Sequence, residues 1–224
     1  TDADGTLLDE LTADMADRLV RIGDWLSVDL RRYLPCAVRA SRNGVGRVHI
    51  IGYEEDGTLL RELFSREGVG TVISRESLEK LRDARPDDIG GLIALIEPLE
   101  EDGTLVRRER DLLEREISRF SVVEHDGLIV GCAALYPYDE GKAELACLAV
   151  HPEFRRWGYG EQLMKRIEAR AKAADIKQLF VLTTVAAHWF IERGFVEKTV
   201  DELPKEKRLM YNLQRRSKVL TKTI

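Results

Sequence analysis

AELACLAVHPEFRRWGYGEQLMKRIEARA, residues 143–171, is the stretch that decides the fold. Leu145 to Val150 is an apolar run. His151-Pro152 ends it, because proline brings no N–H to a strand ladder. Arg155-Arg156-Trp157-Gly158-Tyr159-Gly160 comes next. Leu163, Ile167 and Arg170 then fall at i, i+4 and i+7, with charges between them. The order is strand, basic glycine-containing loop, helix. Loop amides and the first helical turn offer unpaired donors and positive potential, which suits a phosphate. Gly158 and Gly160 let the backbone approach a ligand closely. An ordinary strand-to-helix turn with a solvated charge pair fits the same spacing.

A chain of 224 residues holds one large domain or two modest ones. With 44% hydrophobic and 33% charged residues it should fold around a buried core. A net charge of −5 argues against a general nucleic-acid binder, which needs a strongly basic face. Cys36, Cys132 and Cys147 lie in apolar segments without metal or redox spacing. Buried thiols in a reducing cytoplasm are the plain reading. No apolar run approaches the ~20 residues of a membrane span, and no signal peptide is evident. The chain opens on TDADGTLLDE, without Met, and this reads as a loop. The expectation is that an N-terminal portion lies outside this chain.

Working outward, Asp4-Gly5 signals a turn, and Thr12 is placed to cap a helix over 12–22 with Met15, Leu19 and Ile22 inward. Residues 27–42 read as helical, interrupted at Pro35. Val48–Ile51 is a short strand, Thr58–Phe64 a helix with Leu59, Leu60 and Leu63 inward, and 68–73 a glycine loop entering a strand. That order predicts the closing part of an α/β domain with a parallel sheet. Ser77–Arg82 fits strand or helix, with strand preferred. Helices are expected from Pro86 and over 108–120, and Asp126-Gly127 marks a hairpin between strands 121–125 and 128–137. After the opening stretch come a strand at 178–184, a helix over 186–193 ending at Gly194, and strands at 195–200 and 208–213.

Glu144 is a carboxylate inside a run of Ala, Leu, Cys and Val, where a charge is rarely buried unpaired. Desolvation would tune it as a base; a solvent-facing edge position is the alternative. Strict alternation puts Glu144 and Cys147 on opposite faces, so only a bulge brings both to one site. Cys147 has no evident histidine partner, which favours a pocket-lining role over a nucleophilic one. Arg107-Arg108, Lys207-Arg208 and Arg215-Arg216 fit a ligand with paired carboxylates, or simply a solvated basic face.

Arg155-x-x-Gly158-x-Gly160 after Val150-His151-Pro152 resembles the acetyl-CoA pyrophosphate loop of the GNAT acetyltransferase superfamily. The resemblance extends over about residues 77–214 in the order of elements. It implies Arg155, Arg156, Gly158, Tyr159 and Gly160 as contacts to acetyl-CoA. It also implies a bulged strand whose Leu148 and Val150 amides polarise the acetyl carbonyl. HWFIERGF, residues 188–195, resembles the later motif of that family, but Phe190 stands where many members carry a tyrosine acid. Thr183, Thr184 or water must then serve the leaving thiolate, unless β-propensity alone explains the threonines. GVGRVHIIGYEEDGTLLRELFSREGVGTVIS resembles the end of the amino-acid kinase fold, without its phosphate loops.

Taken together, LVRRERDLLEREISRF, ELACLAVHPEFR, LFVLTT, HWFIERGF and MYNLQRRSKVL resemble the bacterial N-acetylglutamate synthases that join the two folds. The resemblance implies an α/β protein. A C-terminal portion of an amino-acid kinase-like regulatory domain (1–75) precedes a mixed-sheet GNAT domain (76–224). It further implies acetyl-CoA as co-substrate without a metal and L-glutamate as acceptor in arginine biosynthesis. L-arginine is implied as feedback inhibitor, with a homo-oligomer in the cytoplasm. Glu144 would be the base and Thr183 the proton relay; Arg107, Cys147 and Arg216 would contact glutamate; Glu62 and Gly68 would belong to the arginine site. A GNAT enzyme for another amine and a non-catalytic arginine-sensing module are the alternatives.

Overall fold

The computed structural model describes residues 7–22, 25–53, 56–65 and 68–224; the Asp4-Gly5 turn lies outside them. The chain divides into two compact units, Thr1–Leu78 and Glu79–Ile224. No helix among the described residues is long and apolar enough to cross a membrane.

The first unit runs β1 (Glu10–Thr12), α1 (Ala13–Ile22), α2 (Val28–Arg42), β2 (Arg47–Ile50), α3 (Thr58–Phe64) and β3 (Thr71–Ser74). Its sheet has the order β1-β3-β2. β1 pairs parallel with β3, but β2 pairs antiparallel, so the sheet is mixed and not parallel as expected. The reason lies in α3. A parallel crossover lays its helix on the sheet, yet α3 exposes Leu59, Leu60 and Leu63 and buries Glu62. The expected inward leucines therefore face out.

Thr12 does cap α1, accepting from the Met15 amide at 3.2 Å. The helix buries Ala13 and Ala16, while Met15 and Ile22 are exposed. α2 starts on Ser27, which accepts from Leu30 N at 3.2 Å, and continues through Pro35 instead of breaking there. Leu34, Ala37 and Val38 hold it to Leu11 and Ile73 in one core.

The second unit runs β4 (Glu79–Asp83), α4 (Ile89–Glu101), α5 (Arg110–Glu116), β5 (Phe120–His125), β6 (Leu128–Pro137), β7 (Lys142–Val150) and α6 (Tyr159–Ala173). It continues through β8 (Gln178–Thr183), α7 (Ala187–Ile191), β9 (Val196–Lys198), α8 (Lys205–Leu209) and β10 (Lys218–Thr223). Seven strands form one sheet in the order β4-β5-β6-β7-β8-β10-β9. Only β7 and β8 pair parallel.

Period-two alternation along β6 sends Ala133 and Leu135 to the face covered by α6, through Leu163 and Ile167. Cys132 and Ala134 go to the face covered by α4 and α5, through Leu92, Ile96 and Leu113. Asp126 and Gly127 both take positive φ, 51° and 77°, as a tight hairpin turn requires.

Two expected elements are corrected. Residues 108–120 begin their helix at Arg110 and tighten into a 3₁₀ turn at Ile117–Arg119. Residues 208–213 are not a strand: α8 follows Pro204, a 3₁₀ turn covers Leu213–Arg215, and the last strand is β10. β10 wins that place because Val219, Leu220 and Thr221 are buried where it pairs with both β8 and β9.

β4 is tied to α4 by Arg82. Its guanidinium donates to both oxygens of Asp88, at 2.6 and 2.8 Å, and to Glu124 at 2.7 and 2.9 Å. Arg82 holds the Asp88 carboxyl below its usual range; burial opposes this and the Arg85 amide, at 2.7 Å, adds to it. Arg82→Met should lower the unfolding free energy by about 3 kcal/mol at pH 7, because two half-buried carboxylates lose their cation. A depressed folded-state value gives stability that is complete above about pH 4 and lost as the pH falls through it. Urea midpoints of the two proteins should therefore converge in acid; a gap independent of pH would refute the assignment.

Candidate active site

The site begins where β7 parts from β8. Their parallel pairing runs only from Lys142↔Gln178 to Glu144↔Phe180. Beyond Glu144, β7 keeps β6 alone as its partner. On that side the register shifts. Cys132 faces Ala149 and Ala134 faces Ala146, so β7 carries one residue more than β6 between the pairs. The extra residue makes a β-bulge. Cys147 sits in it with φ 51°, a left-handed conformation uncommon for a residue with a Cβ.

The bulge reverses the alternation of β7. Before it, Ala143 and Leu145 pack on the α6 face; after it, Leu148 and Val150 do, and Cys147 turns to the α4 face. Glu144 and Cys147 thus share a face. His151 N donates to Val130 O on β6 at 2.8 Å. Strand alternation then directs the Val150 amide away from β6, toward the opening that β8 leaves, with Leu148 in the bulge beside it.

That opening is a cleft of about 1350 Å³. It is larger than the usual range of roughly 300–1,000 Å³ for a one-ligand pocket. Eight cationic side chains (Arg107, Arg108, Arg119, Arg155, Arg156, Arg193, Lys207 and Arg215) and four glutamates (Glu116, Glu144, Glu161 and Glu206) line it. The cleft is cationic although the chain carries a net charge of −5, so it selects anions.

At one end, Gly158 has φ 78° and opens α6. Its carbonyl accepts from Glu161 and Gln162, each at 3.1 Å. The positive end of the α6 dipole is thereby brought to the cleft, which favours an anion there. A Cβ at Gly160 would meet Trp189 Cζ2 at 3.4 Å, so the loop packs tightly on α7. Arg155, Arg156, Gly158 and Gly160 line the cleft. Tyr159 does not: it is fully buried, with its hydroxyl 3.1 Å from His125 Nδ1.

Glu144 is buried, not at a solvent-facing edge, and it is paired: Lys207 Nζ lies 2.6 Å from its Oε2. The Tyr138 hydroxyl stands 3.5 Å from the same oxygen. Burial, and next the Glu144 charge, push the Tyr138 phenol above its usual range. Cys147 is buried against Cys132, whose Sγ donates to the Cys147 carbonyl at 3.3 Å. The neighbouring Cys132 thiol, and then the Arg108 charge, hold the Cys147 thiol below its usual range, against burial.

Thr183 lines the cleft, and its hydroxyl accepts from Ala186 N at 2.9 Å, leaving its own proton to donate. Phe190 is buried, edge-on to Trp189 and Phe195.

The arginine pairs divide differently from expectation. Arg107 borders the cleft with its side chain 81% exposed and pairs loosely with Glu109 at 3.6 Å. Arg108 is the inner member, donating to Val106 O at 2.8 Å. Arg216 is exposed, at φ 50°, and is not among the lining residues; Arg215 lines the cleft and donates to Thr104 O at 2.9 Å. Glu62 and Gly68 lie in the first unit. Glu62 meets His49 Nδ1 at 2.6 Å and accepts from the Val69 and Gly70 amides at 2.7 and 2.9 Å. A Cβ on Gly68 would come within 2.9 Å of Glu62 Oε2. Among the described residues no His, Cys, Asp and Glu cluster could hold a metal.

Residues 75–195 match the model of the Acetyltransferase (GNAT) family. The chain belongs to this family. It is 55% identical to an amino-acid acetyltransferase of Ralstonia nicotianae over 98% of its length and 49% of that protein's. It is 53% identical to an amino-acid acetyltransferase of Azotobacter vinelandii, over 100% of its length and 51% of that protein's. Among solved structures, N-acetylglutamate synthase from Neisseria gonorrhoeae, complexed with coenzyme A and L-arginine, superposes with a TM-score of 0.83 at 41% identity, over 100% of this chain and 51% of that one. The chain therefore spans about half the length of the relatives it matches.

Within the GNAT fold, the splayed β7 and β8 with α6 behind them form the cleft just described. Sequence reasoning missed Arg108, Lys207 and Arg215 as its inner cations, and Arg193, which stacks over Trp189 at 4.1 Å. The doublets themselves were the signal. Which member of each faces inward depends on the turn that carries it, and that is not written in the spacing.

The bulge makes a direct test. A β-branched residue at positive φ is a genuine outlier. Cys147→Val should cost about 1–3 kcal/mol in stability. It should also impair binding of coenzyme A, read by calorimetry, more than Cys132→Val does. Equal behaviour of the two variants would mean that the backbone at Cys147 is not what shapes the cleft.

Proposed function

We propose that the chain transfers acetyl from acetyl-CoA to the α-amino group of L-glutamate, the first step of arginine biosynthesis, in the cytoplasm. The observation that carries this reading is the pairing of an anion-binding loop with a separate cationic wall across one bulged strand. The names of the relatives support it. So does a second Neisseria gonorrhoeae structure, described with coenzyme A and N-acetyl-glutamate, which matches with a TM-score of 0.63 at 43% identity.

In the proposed mechanism the loop from Arg155 to Gly160 holds the phosphates of the donor. The Leu148 and Val150 amides receive the carbonyl oxygen as negative charge develops on it. Arg108 and Arg215, with Arg107 and Arg216 nearer the surface, attract the carboxylates of the acceptor. Glu144 takes a proton from the acceptor ammonium, directly or through one water. The freed amine forms its bond to the acetyl carbon, the carbon–sulfur bond breaks, and the further proton lost by that nitrogen passes through Thr183 or water to the departing thiolate.

The first unit is read as the end of an amino-acid kinase-like domain through which a homo-oligomer assembles. Glu62, fixed by His49 and the loop at Gly68, would help form a site for L-arginine as inhibitor.

Thiol release from acetyl-CoA, measured over a panel of amino acids, tests the assignment. Glutamate should be acetylated and lysine and polyamines should not; the reverse order would overturn the acceptor. Glu144→Gln should lower kcat by about 10²–10⁴-fold while the affinity for acetyl-CoA stays unchanged. Loss of acetyl-CoA binding in that variant would instead make Glu144 a structural group.

A further inference from the structure

Glu144 has a difficulty as a base. Its Oε2 is 2.6 Å from Lys207 Nζ, and the side chains of the pair are 9% and 22% exposed. The ammonium occupies the carboxylate oxygen that a base would present to an acceptor amine. An enzyme that held it so throughout the reaction would waste its base. The geometry supplies a release. Lys207 lines the same cleft as Arg108 and Arg215, and its four-carbon stem moves the ammonium without backbone change.

We propose that Lys207 is a specificity latch: it holds Glu144 until a second, side-chain carboxylate of the acceptor takes its ammonium while Arg108 and Arg215 hold the first, so the base is freed only for an acidic acceptor. The inference rests on the acceptor reading above and extends it. The exchange is one of ion pairs, and no covalent bond changes. A neutral amino acid enters the same cleft but leaves Lys207 on Glu144. Discrimination therefore acts on the proton-transfer step as well as on binding. Lys207 is a positioning residue here, and Glu144 remains the group that meets the amine. The other groups facing Glu144 are the Tyr138 hydroxyl at 3.5 Å and the Arg108 charge. Glu206 and Arg119 act on Tyr138. Of these cations, Lys207 is the one in ion-pair contact with Glu144.

The test uses glutarate, a dicarboxylate that has no amine to acetylate. Protein labelled with ¹³C at glutamate carboxyls is titrated by NMR, and the Glu144 signal is assigned by its loss in Glu144→Gln. At one fixed pH, saturating glutarate should move the Glu144 carboxyl signal of the unaltered chain to the position it has in Lys207→Met. The Lys207→Met signal should not respond to glutarate, and Lys207→Arg should restore the response. In steady state, Lys207→Met should reduce the preference for glutamate over glutamine in kcat/KM by about tenfold or more. A Glu144 signal in the unaltered chain that glutarate leaves in place would overturn the latch. So would a Lys207→Met protein whose Glu144 signal matches that of its parent. If the chain acetylates no dicarboxylic amino acid, the acceptor reading falls, while the glutarate titration still decides the ion-pair exchange.

Discussion

The second unit depends on one surplus residue in one strand. β7 must pair with β6 along its length, and it must also part from β8 halfway. A regular strand cannot satisfy both demands and keep its core contacts. The bulge at Cys147 does so. It bends β7, reverses its alternation, and sets Leu148 and Val150 against α6 while Cys147 and Ala149 fill the α4 side. A Cβ at φ 51° costs of order 1 kcal/mol or more. The surrounding core over-determines that conformation, because both faces of β7 are already filled with Leu145, Ala149 and Val150 in contact with helices. The cleft is thus a consequence of packing: the core forces the strand apart from its neighbour.

Charge follows from that opening. Parted strands expose backbone amides at the C-terminal end of β7, and the helix that follows brings its first turn to the same place. Both favour an anion. Cations on the α5 and α8 sides then add a second anionic preference at the other wall. The two walls differ in kind. The loop wall joins Arg155 and Arg156 to backbone and glycine whose course the fold fixes. The opposite wall is side chains on turns and on the short α8, which can be exchanged without disturbing the sheet. In the proposed reaction, donor recognition would therefore be tied to the fold, and acceptor recognition carried by residues that the fold merely places.

The same division explains how much was legible in the sequence. The strand–loop–helix at 143–171 was readable because each part rests on local chemistry: an apolar run, a proline stop, glycine at positive φ and a helical stripe. The hairpin at Asp126-Gly127 and the helix after Pro86 were readable for the same reason. Glu144 and Cys147 could be placed at one site only on condition of a bulge, and a bulge is a property of two paired strands. The last strand was misread at 208–213, since Met210, Tyr211 and Leu213 are as apolar as Val219 and Leu220. Only the pairing partners β8 and β9 distinguish them. In the first unit the leucine stripe of α3 is a proper amphipathic pattern, yet the structure leaves it exposed. Periodicity reports what a helix could bury, and a partner surface decides whether it does.

Glu62 and Glu144 bring this to a single contrast. Both are buried carboxylates in a chain rich in acids, and the sequence singles out each of them. Glu62 has both oxygens occupied, by His49 and by two backbone amides. Its partners are built into the loop and cannot leave without remaking it, so its work is to hold a local shape. Glu144 has one short partner on a flexible side chain, and that partner faces a cationic cleft. A fixed set of donors makes a carboxylate structural; a single movable one makes it available. Burial alone does not separate the two roles, and the mobility of the partner does.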